Sequence, residues 1–458
     1  MRGSSLLATS FTGALLAYTL YTWGALIHRT LTVMGVLRWK LENTHSDQHI
    51  VAIADTTHCE DIHYHAPSAT LFTACEDNAE TRFKWFPPLA NHDHPELGAK
   101  SRGSIHVIDP NTLRSRRLEF ENFDGPFITH GIDVISDLER PDGEAVYIFA
   151  VNHLPNPSLP ANPSQKDWPK ARSQIELFHH VIGAPSVRHI RSIWDPLIRT
   201  PNDVVATSPT SFYVTNDHYY AESSLMRTIE DLYANAEWTD VIHVRLDPVA
   251  DSSKSSDPSA GVAATVALPE IHNGNGIGHG RSVWELLVTS CASGVLHIGQ
   301  ISPNGKGHRI TFVDEIEVDS VIDNPSYFSD PFASRTGEDH SGFVLAGLAR
   351  AYTLANTHSD PSDDARDSVR VWYVKPALGE DKVKEPTSPV RWEKQVVFGD
   401  DGTHIRSASA AVLVAIDPAA EEGGPVIGSV EGKGGRRKAW LFVTGFMSEN
   451  VIAVKVDL

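Results

Sequence analysis

Short apolar runs separated by turn-rich segments make up most of the chain after residue 50. The runs are rich in Val, Ile, Phe and Tyr, which favour strands, and the segments between them hold most of the Gly, Pro, Asp and Ser. The clearest runs are residues 104–109, 145–152, 175–181, 211–217, 241–247, 284–290, 295–301, 341–347, 370–374, 439–446 and 451–457. Only residues 222–235 show a pattern that suits a helix, and we place that helix on an inserted loop.

So many short strands without alternating helices predict an all-β fold, and a β-propeller above a sandwich. Five polar blocks have a composition that cannot pack a core, and we interpret them as surface insertions. They are residues 155–173, 247–261, 356–368, 375–389 and 419–438. With them, about 65 residues per unit fits six blades of four strands. We predict a six-bladed propeller over residues 50–458, without a WD40 or kelch signature, whose final strands help to close the ring.

The N-terminal segment is apolar over residues 5–27, contains no charged residue and is long enough to cross a bilayer. We predict that residues 1–40 form an uncleaved, hydrophobic helical anchor, with a cleaved secretory signal as the alternative. Basic residues after the segment would keep the domain cytoplasmic by charge bias, so its orientation stays open. We expect a membrane-anchored protein, in the secretory pathway or endoplasmic reticulum rather than the cytosol.

Charge and cysteine content narrow the classes of function. The formal net charge of −19, from 58 acidic and 39 basic residues, disfavours nucleic-acid binding, which needs a concentrated basic face. The three cysteines, Cys59, Cys75 and Cys291, show no zinc-binding spacing. Cys59 and Cys75 could form a disulfide, although their spacing does not require one. No Gly-x-Ser-x-Gly motif is present, which argues against a serine hydrolase of the α/β class.

Polar doublets beside apolar strands are the strongest candidates for chemistry. They are Glu60-Asp61, Asn152-His153, Asn202-Asp203, Asn216-Asp217 and Asp323-Asn324, with Asn275 as a further candidate. One such doublet alone is most simply a turn or strand end. Several in different blades indicate a shared site, and a mixture of Asn and Asp oxygens suits calcium better than zinc, iron or copper. Adjacent residues of an extended chain project to opposite sides, so a doublet near the propeller axis could serve two ions.

Several of these stretches, in this order, resemble the serum paraoxonase/arylesterase family. They are HGIDVI at residues 130–135, VYIFAVNH at 146–153, IELF at 175–178, the segment 198–220, NGI at 275–277 and VIDNPS at 321–326. The similarity spans nearly all of residues 50–458, and a hydrophobic leader also fits the family. The resemblance implies a six-bladed propeller with two calcium ions in its central tunnel. It further implies hydrolysis of lactones, aryl esters and some phosphotriesters.

The resemblance also assigns individual residues. It implies a catalytic calcium held by Glu60, Asn202, Asn275, Asp323 and Asn324. A buried structural calcium would be held by Asp61, Asp203 and the backbone carbonyl of Ile132. Each ion would then face two carboxylates and be formally neutral, as a low-dielectric tunnel requires. His130 matches the family's proposed catalytic histidine, His153 its partner, and His218 a position near the active-site mouth. We assign no metal to Asn216-Asp217, which we expect to position His218 and end a strand.

Other interpretations remain at this point. The family's animal members join the first and last strands by a disulfide, whereas no cysteine lies near this C-terminus, so closure must rest on strand pairing. An acidic pair at the calcium could activate water instead of His130. The chain could also be a non-catalytic, calcium-stabilised, membrane-anchored scaffold. Strictosidine-synthase-like and gluconolactonase-like propellers match its residues less well. We expect a small ester or lactone as substrate, and its natural identity is not set by the sequence.

Overall fold

Six antiparallel sheets surround a central axis and form the blades of a propeller. The computed structural model describes residues 18, 21–41, 43–158, 169–247, 257–302, 308–362, 364–377, 392–421 and 437–458. Within each blade, consecutive strands pair in order from the axis outward, and the six innermost strands contact one another in a closed ring. The all-β, six-bladed prediction is therefore confirmed.

The strands fall into blades in chain order, except that β1 (Ile50–Ile53) belongs to the last blade. Blade 1 contains β2 (Cys59–His65), β3 (Thr70–Cys75), β6 (Ser104–Asp109) and β7 (Arg114–Arg117), with a short hairpin of β4 (Trp85–Phe86) and β5 (Asn91–His92) inserted. Blade 2 contains β9 (Thr129–Ser136), β10 (Ala145–Asn152), β11 (Gln174–Val181) and β12 (Ser186–Ile193), with β8 (Glu119–Glu121) added in parallel. Blade 3 contains β13 (Pro201–Ser208), β14 (Ser211–Asn216), β15 (Thr239–Leu246) and β16 (Val262–Ile271).

The second half of the ring repeats the same order. Blade 4 contains β17 (Gly274–His279), β18 (Glu285–Ser290), β19 (Val295–Ile301) and β20 (Ile310–Glu317). Blade 5 contains β21 (Pro325–Phe328), β22 (Gly342–Leu348), β23 (Val369–Pro376) and β24 (Trp392–Asp400). Blade 6 contains β25 (Ala408–Ala415), β26 (Lys438–Gly445), β27 (Val451–Asp457) and β1.

Helices are short and lie outside the blades. They are α1 (21–33), α2 (Ala79–Lys84), α3 (Pro95–Gly98), α4 (Leu225–Leu232), α5 (Ala333–Thr336), α6 (Leu354–Thr357) and α7 (Pro418–Glu421). Helix α4 confirms the helix expected within residues 222–235. Its N-terminus is capped by Ser224, whose hydroxyl accepts a hydrogen bond from the backbone N–H of Arg227. Large parts of four of the five predicted insertions lie outside the described residues, whereas residues 356–368 are described except for position 363.

Strand pairing closes the ring. β1 pairs with β27 in antiparallel register, Ile50 opposite Val454, so the first and last strands share blade 6. A disulfide joins Cys59 to Cys75 within blade 1, and Cys291 is free. The disulfide therefore links two neighbouring strands and leaves the first and last strands to their backbone hydrogen bonds, as we expected from the cysteine positions.

The core consists of apolar layers between neighbouring blades. Phe149 of blade 2, for example, packs on Phe212 of blade 3 with ring centroids 5.3 Å apart, among buried Val and Ile side chains of both blades. Full burial of such a side chain is worth about 1.5–3 kcal/mol. Because these layers fix each blade against the next, the ends of the inner strands are held in place around the axis.

The end of α1 packs on the propeller between blades 4 and 5. Val33 is buried against Val321 and Leu348, and the Arg29 guanidinium donates to the backbone carbonyls of Ser293 and Val318. Among the described residues, no helix is both long and apolar enough to cross a membrane. Most of the apolar segment 5–27 lies outside those residues, so its role as an anchor stays a prediction.

Candidate functional site

Irregularities in the inner strands place the polar doublets at the axis. The ladder between β2 and β3 shifts register at Cys59–Asp61, that between β13 and β14 at Pro201–Val204, and that between β17 and β18 at Gly274–Ile277. Such bulges bend a strand and redirect its side chains. These three points contain Glu60-Asp61, Asn202-Asp203 and Asn275, and Asp323-Asn324 directly precedes β21.

Threonines on the second strands satisfy the backbone at these bulges. The hydroxyl of Thr73 donates to the carbonyl of Asp61 at 2.6 Å, and that of Thr444 donates to the carbonyl of Glu60 at 2.8 Å. The hydroxyl of Thr289 accepts from the N–H of Gly276 at 2.9 Å. A buried polar backbone group without a partner is costly, so these hydroxyls stabilise the irregular strand starts.

Five side chains at one end of the tunnel share an unusual property: each has a buried oxygen without a hydrogen-bond partner. We call them the upper ring: Glu60 (Oε2), Asn202 (Oδ1), Asn275 (Oδ1), Asp323 (Oδ1) and Asn324 (Oδ1). They are the five residues that the sequence predicts for the catalytic calcium. Unpaired buried polar atoms are rare in folded proteins, and each demands an explanation such as an ion.

Hydrogen bonds from their amide nitrogens orient two asparagines of the upper ring, Asn324 and Asn202. Asn324 donates from Nδ2 to Oε1 of Glu60 at 2.9 Å, and Asn202 donates from Nδ2 to Oδ2 of Asp217 at 3.3 Å. With each nitrogen bonded, the Oδ1 atom of the same amide is left free. Close packing keeps Asn275 near this group, because a Cβ atom on the neighbouring Gly276 would lie 2.5 Å from Cα of Asn324.

The electrostatics of the tunnel favour a cation. Burial, together with the carboxylates of Asp323, Asp61 and Asp203, raises the pKa of Glu60 well above its usual value. Burial and the neighbouring carboxylates likewise raise the pKa of Asp323. A divalent cation would remove this penalty by holding both groups ionised.

The donor set of the upper ring fits calcium. It offers two carboxylates and three amides, all hard oxygen ligands, whereas zinc and copper prefer nitrogen and sulfur. Within the part of the chain that the structure describes, no three His, Cys, Asp or Glu side chains form a metal-binding group. That finding is compatible with the upper ring, since most of its oxygens come from asparagine.

The predicted lower calcium ligands have different surroundings. Asp61 accepts hydrogen bonds from the backbone N–H groups of Ile62 at 2.8 Å and Ile132 at 2.9 Å. Asp203 accepts from Val204 at 2.7 Å and from Ile277 at 2.8 Å. Ile132, in β9, contacts Asp61 of β2 through its N–H group, and coordination of calcium through its carbonyl stays a prediction.

A histidine that the sequence did not single out also contacts Asp61. His63 Nε2 lies 3.1 Å from Oδ2 of Asp61, and His63 Nδ1 lies 3.4 Å from Oδ1 of Asp133. His279 donates from Nε2 to Asp133 at 2.9 Å. We call these residues, Asp61, His63, Asp133, Asp203 and His279, the lower network. Burial would lower the pKa of His63, but Asp61 and Asp133 together raise it to about 9.

His130 and His153 form a buried pair beside the upper ring. His153 Nε2 lies 3.2 Å from His130 Nδ1, and the hydroxyl of Ser173 lies 2.8 Å from Nδ1 of His153. The remaining nitrogen of His130, Nε2, is 3.9 Å from Oε1 of Glu60. Burial lowers the pKa of His130 to about 3 and that of His153 well below its usual value, so both imidazoles are neutral near pH 7.

Phe86, which no sequence pattern indicated, packs against both histidines of the pair. Its ring makes edge contacts to His130 and His153 with centroids 5.1 Å and 5.8 Å away. The buried guanidinium of Arg82 lies 4.0 Å from the centroid of the same ring. Phe86 lies in an inserted hairpin, so no strand-period pattern pointed to it.

The second Asn-Asp doublet of blade 3 supports the first. Asn216 accepts hydrogen bonds from the N–H groups of Arg199 and Thr200 and thereby holds the turn before Asn202. Asp217 orients Asn202 and lies 3.1 Å from His218. Burial would lower the pKa of His218, but Asp217 and Asp231 raise it to about 9. The expectation that Asp217 positions His218 agrees with this contact; its effect on Asn202 was not foreseen.

The mouth cavity, of about 470 Å³, opens above the upper ring. Its floor contains Asn202, Asn275 and Asp323 next to His130. Its wall is largely apolar and includes Phe86, Leu89, Leu232, Val321, Leu348 and Phe446. A small molecule with one polar group and an apolar body would fit such a cavity.

The chain is similar over part of its length to known arylesterases. The Arylesterase family model matches residues 95–267. The chain is 27% identical to serum paraoxonase/arylesterase 2 of Gallus gallus over 53% of this chain and 59% of the relative. It is 26% identical to the Bos taurus protein of the same name, over 54% and 56%. The matches thus span less than two thirds of these relatives. Among solved structures, a luciferin-regenerating enzyme aligns over 89% of this chain and 95% of its own with a TM-score of 0.39 and 8% identity.

Proposed function

Because the chain belongs to the serum paraoxonase/arylesterase family, we propose that it hydrolyses carboxylic esters or lactones with a calcium ion held by the upper ring. One observation carries the proposal: the upper ring has five buried, unpaired oxygens, and three of its residues form the floor of an apolar cavity beside a neutral histidine pair. The family supplies the reaction class, and the geometry supplies the residues.

Each part of the site has a distinct role in this proposal. Calcium, when bound to Glu60, Asn202, Asn275, Asp323 and Asn324, would supply Lewis-acid stabilisation to the substrate carbonyl oxygen. His130 lines the cavity and lies 3.9 Å from Glu60, so in this proposal its imidazole accepts the proton of the attacking water. His153 holds the ring of His130 through the 3.2 Å contact, and Ser173 fixes His153 in turn.

The apolar wall favours substrates with an aromatic or aliphatic group next to the ester. Phe86, Leu232 and Phe446 offer surface to such a group while its carbonyl reaches the cavity floor. We therefore propose aryl esters and lactones as the substrate class. An acidic group at the ring could activate water in place of His130, and the His130→Gln variant discussed below separates the two routes.

The experiment that tests this proposal is calcium removal and return. Purified full-length protein is dialysed against a chelator and assayed with phenyl acetate and a δ-lactone, before and after calcium is restored. We expect hydrolysis to fall by at least about 100-fold, since a Lewis acid contributes several kcal/mol to the transition state, and to recover with calcium. Full hydrolysis by the metal-free protein would contradict the proposal. Calcium binding without hydrolysis of either substrate would instead favour a scaffold.

We also propose that residues 1–40 attach the protein to a membrane of the secretory pathway. The support is the uncharged stretch 5–27 in the sequence. Carbonate extraction of membranes from cells expressing the full chain tests it. The full chain should remain with the membrane, and a variant lacking residues 1–27 should be released. Release of both would contradict the proposal.

A further inference from the structure

The lower network fits a second calcium ion poorly. We infer that, if the proposed function holds and the upper ring binds one ion, the lower network takes the place of the other, so that each chain holds one tightly bound calcium ion. The inference concerns this chain's own residues, His63, Asp133 and His279, which the two-ion expectation did not include.

Free lone pairs distinguish the two positions. A carboxylate offers about four acceptor sites, two on each oxygen. On Asp61, donors from Ile62, Ile132 and His63 use three of them, and both sites of Oδ2 are taken. On Asp203, the N–H groups of Val204 and Ile277 use two. About three carboxylate sites remain at the lower position besides the carbonyl of Ile132, whereas calcium takes six to eight oxygen ligands.

The upper ring offers far more free acceptor sites than the lower position. Its five unpaired oxygens, from Glu60, Asn202, Asn275, Asp323 and Asn324, each keep both lone pairs. Water would have to complete the shell at either position. The upper ring nevertheless begins with five protein ligands and no competing donor, whereas an ion at Asp61 must compete with the N–H group of His63.

Asp133 keeps His63 in place. Its carboxylate is fully buried, lies 3.4 Å from Nδ1 of His63, and accepts hydrogen bonds from His279 and from the N–H of Ala206. His63 therefore contacts a carboxylate at each ring nitrogen. Rotation away from Asp61 would forfeit both contacts, so a cation gains the site only by breaking two partly buried interactions.

The number of calcium ions bound per chain tests the inference directly. Metal-free wild-type protein is dialysed against calcium buffered at about 10 µM free ion, above the range of tight protein sites. Bound calcium per chain is then measured by atomic emission. The same measurement is made on His63→Leu, which removes the competing donor, and on His63→Asn as a smaller change if the leucine variant does not fold. His179→Leu is the matched control, since His179 likewise lies close to an aspartate, 2.9 Å from Asp137, away from the tunnel.

The expected result is one ion per chain in the wild type and in His179→Leu, and two in the His63 variants. Two ions in the wild type would overturn the inference and leave the proposed function intact. One ion in a folded His63 variant would also overturn it, because His63 would not be the obstacle. No bound ion in the wild type would contradict the proposed function itself, so the two failures are distinguishable.

Discussion

The two ends of the tunnel use similar residues in opposite ways. At the upper ring, the amide nitrogens of Asn202 and Asn324 are bonded, and each of the five side chains keeps one oxygen without a partner. At the lower network, every carboxylate oxygen of Asp61 and Asp203 accepts at least one N–H group. The same doublets, Glu60-Asp61 and Asn202-Asp203, supply residues to both ends.

The difference shows that the number of acidic residues does not define a cation site. What matters is how many oxygens the surrounding donors leave free. Backbone N–H groups and His63 satisfy the lower carboxylates, so their burial is tolerated without an ion. The upper oxygens have no such donors, and a cation is the partner that satisfies them together.

The largest effect should come from removing a carboxylate of the upper ring. Asp323→Ala deletes one of the two charges that face the proposed ion, and we expect the rate of ester hydrolysis to fall on the order of 10³-fold. Calcium binding measured by titration calorimetry should be lost in parallel. Asp364→Ala, at an exposed carboxylate, is the control and should change neither quantity. Full activity in a folded Asp323→Ala protein would remove the upper ring from the mechanism.

The next largest effect should come from His130→Gln. Loss of a general base typically costs about 10²- to 10⁴-fold, and we expect kcat to fall by about 10²-fold, because water in the site is still polarised. Calcium affinity should change little, since the unpaired oxygens of the ring remain. A drop in calcium affinity equal to the drop in rate would mean that His130 supports the ring instead of moving a proton. An unchanged kcat would point to an acidic group as the base.

A smaller effect is expected from the residue that orients Asn202. Asp217→Asn weakens the bond to Nδ2 of Asn202 and the contact with His218. Groups that orient metal ligands typically contribute 10- to 100-fold in affinity, so calcium affinity should fall by about 10-fold. Titration calorimetry measures this, and excess calcium should restore hydrolysis. A rate that stays low at saturating calcium would show that Asp217 acts on the reaction itself.

The smallest effect on the reaction is expected at the lower network. Asp133→Asn removes a buried charge that faces both His63 and His279, and breaking such a pair should cost about 1–3 kcal/mol in the free energy of unfolding. Hydrolysis at saturating calcium should stay within about threefold of the wild type. Urea unfolding and phenyl acetate assays give the two values. A rate loss as large as that of Asp323→Ala would mean that the two ends do not act separately.

The repeated strand pattern was enough to predict six blades and to place the doublets at the starts of inner strands. The members of the upper ring were named by the family resemblance and not by the strand pattern, because the family motifs surround Asn202 and Asp323 closely. The lower network could not be predicted, since His63, Asp133 and His279 come from three blades and meet only in the folded ring. The contact of Phe86 could not be predicted for a similar reason, because Phe86 lies in an inserted hairpin that is not part of the blade repeat.

The role of the threonines at the strand bulges could not be predicted from the sequence either. Thr73, Thr289 and Thr444 lie in strands whose composition alone suits Thr, so nothing in the pattern marked them as partners of the inner strands. Their role depends on register shifts that side-chain periodicity does not reveal. Sequence patterns thus predicted the residues that face the axis better than the hydrogen bonds that decide which of their oxygens are free.

Anomalous diffraction from crystals grown with calcium would locate the ions of the tunnel directly. We predict one strong calcium peak within bonding distance of oxygens from Glu60, Asn202, Asn275, Asp323 and Asn324, and none between Asp61 and Asp203. A strong peak at the lower network would contradict the inferred replacement of the second ion. The absence of a peak at the upper ring would contradict the central claim that its unpaired oxygens form the calcium site.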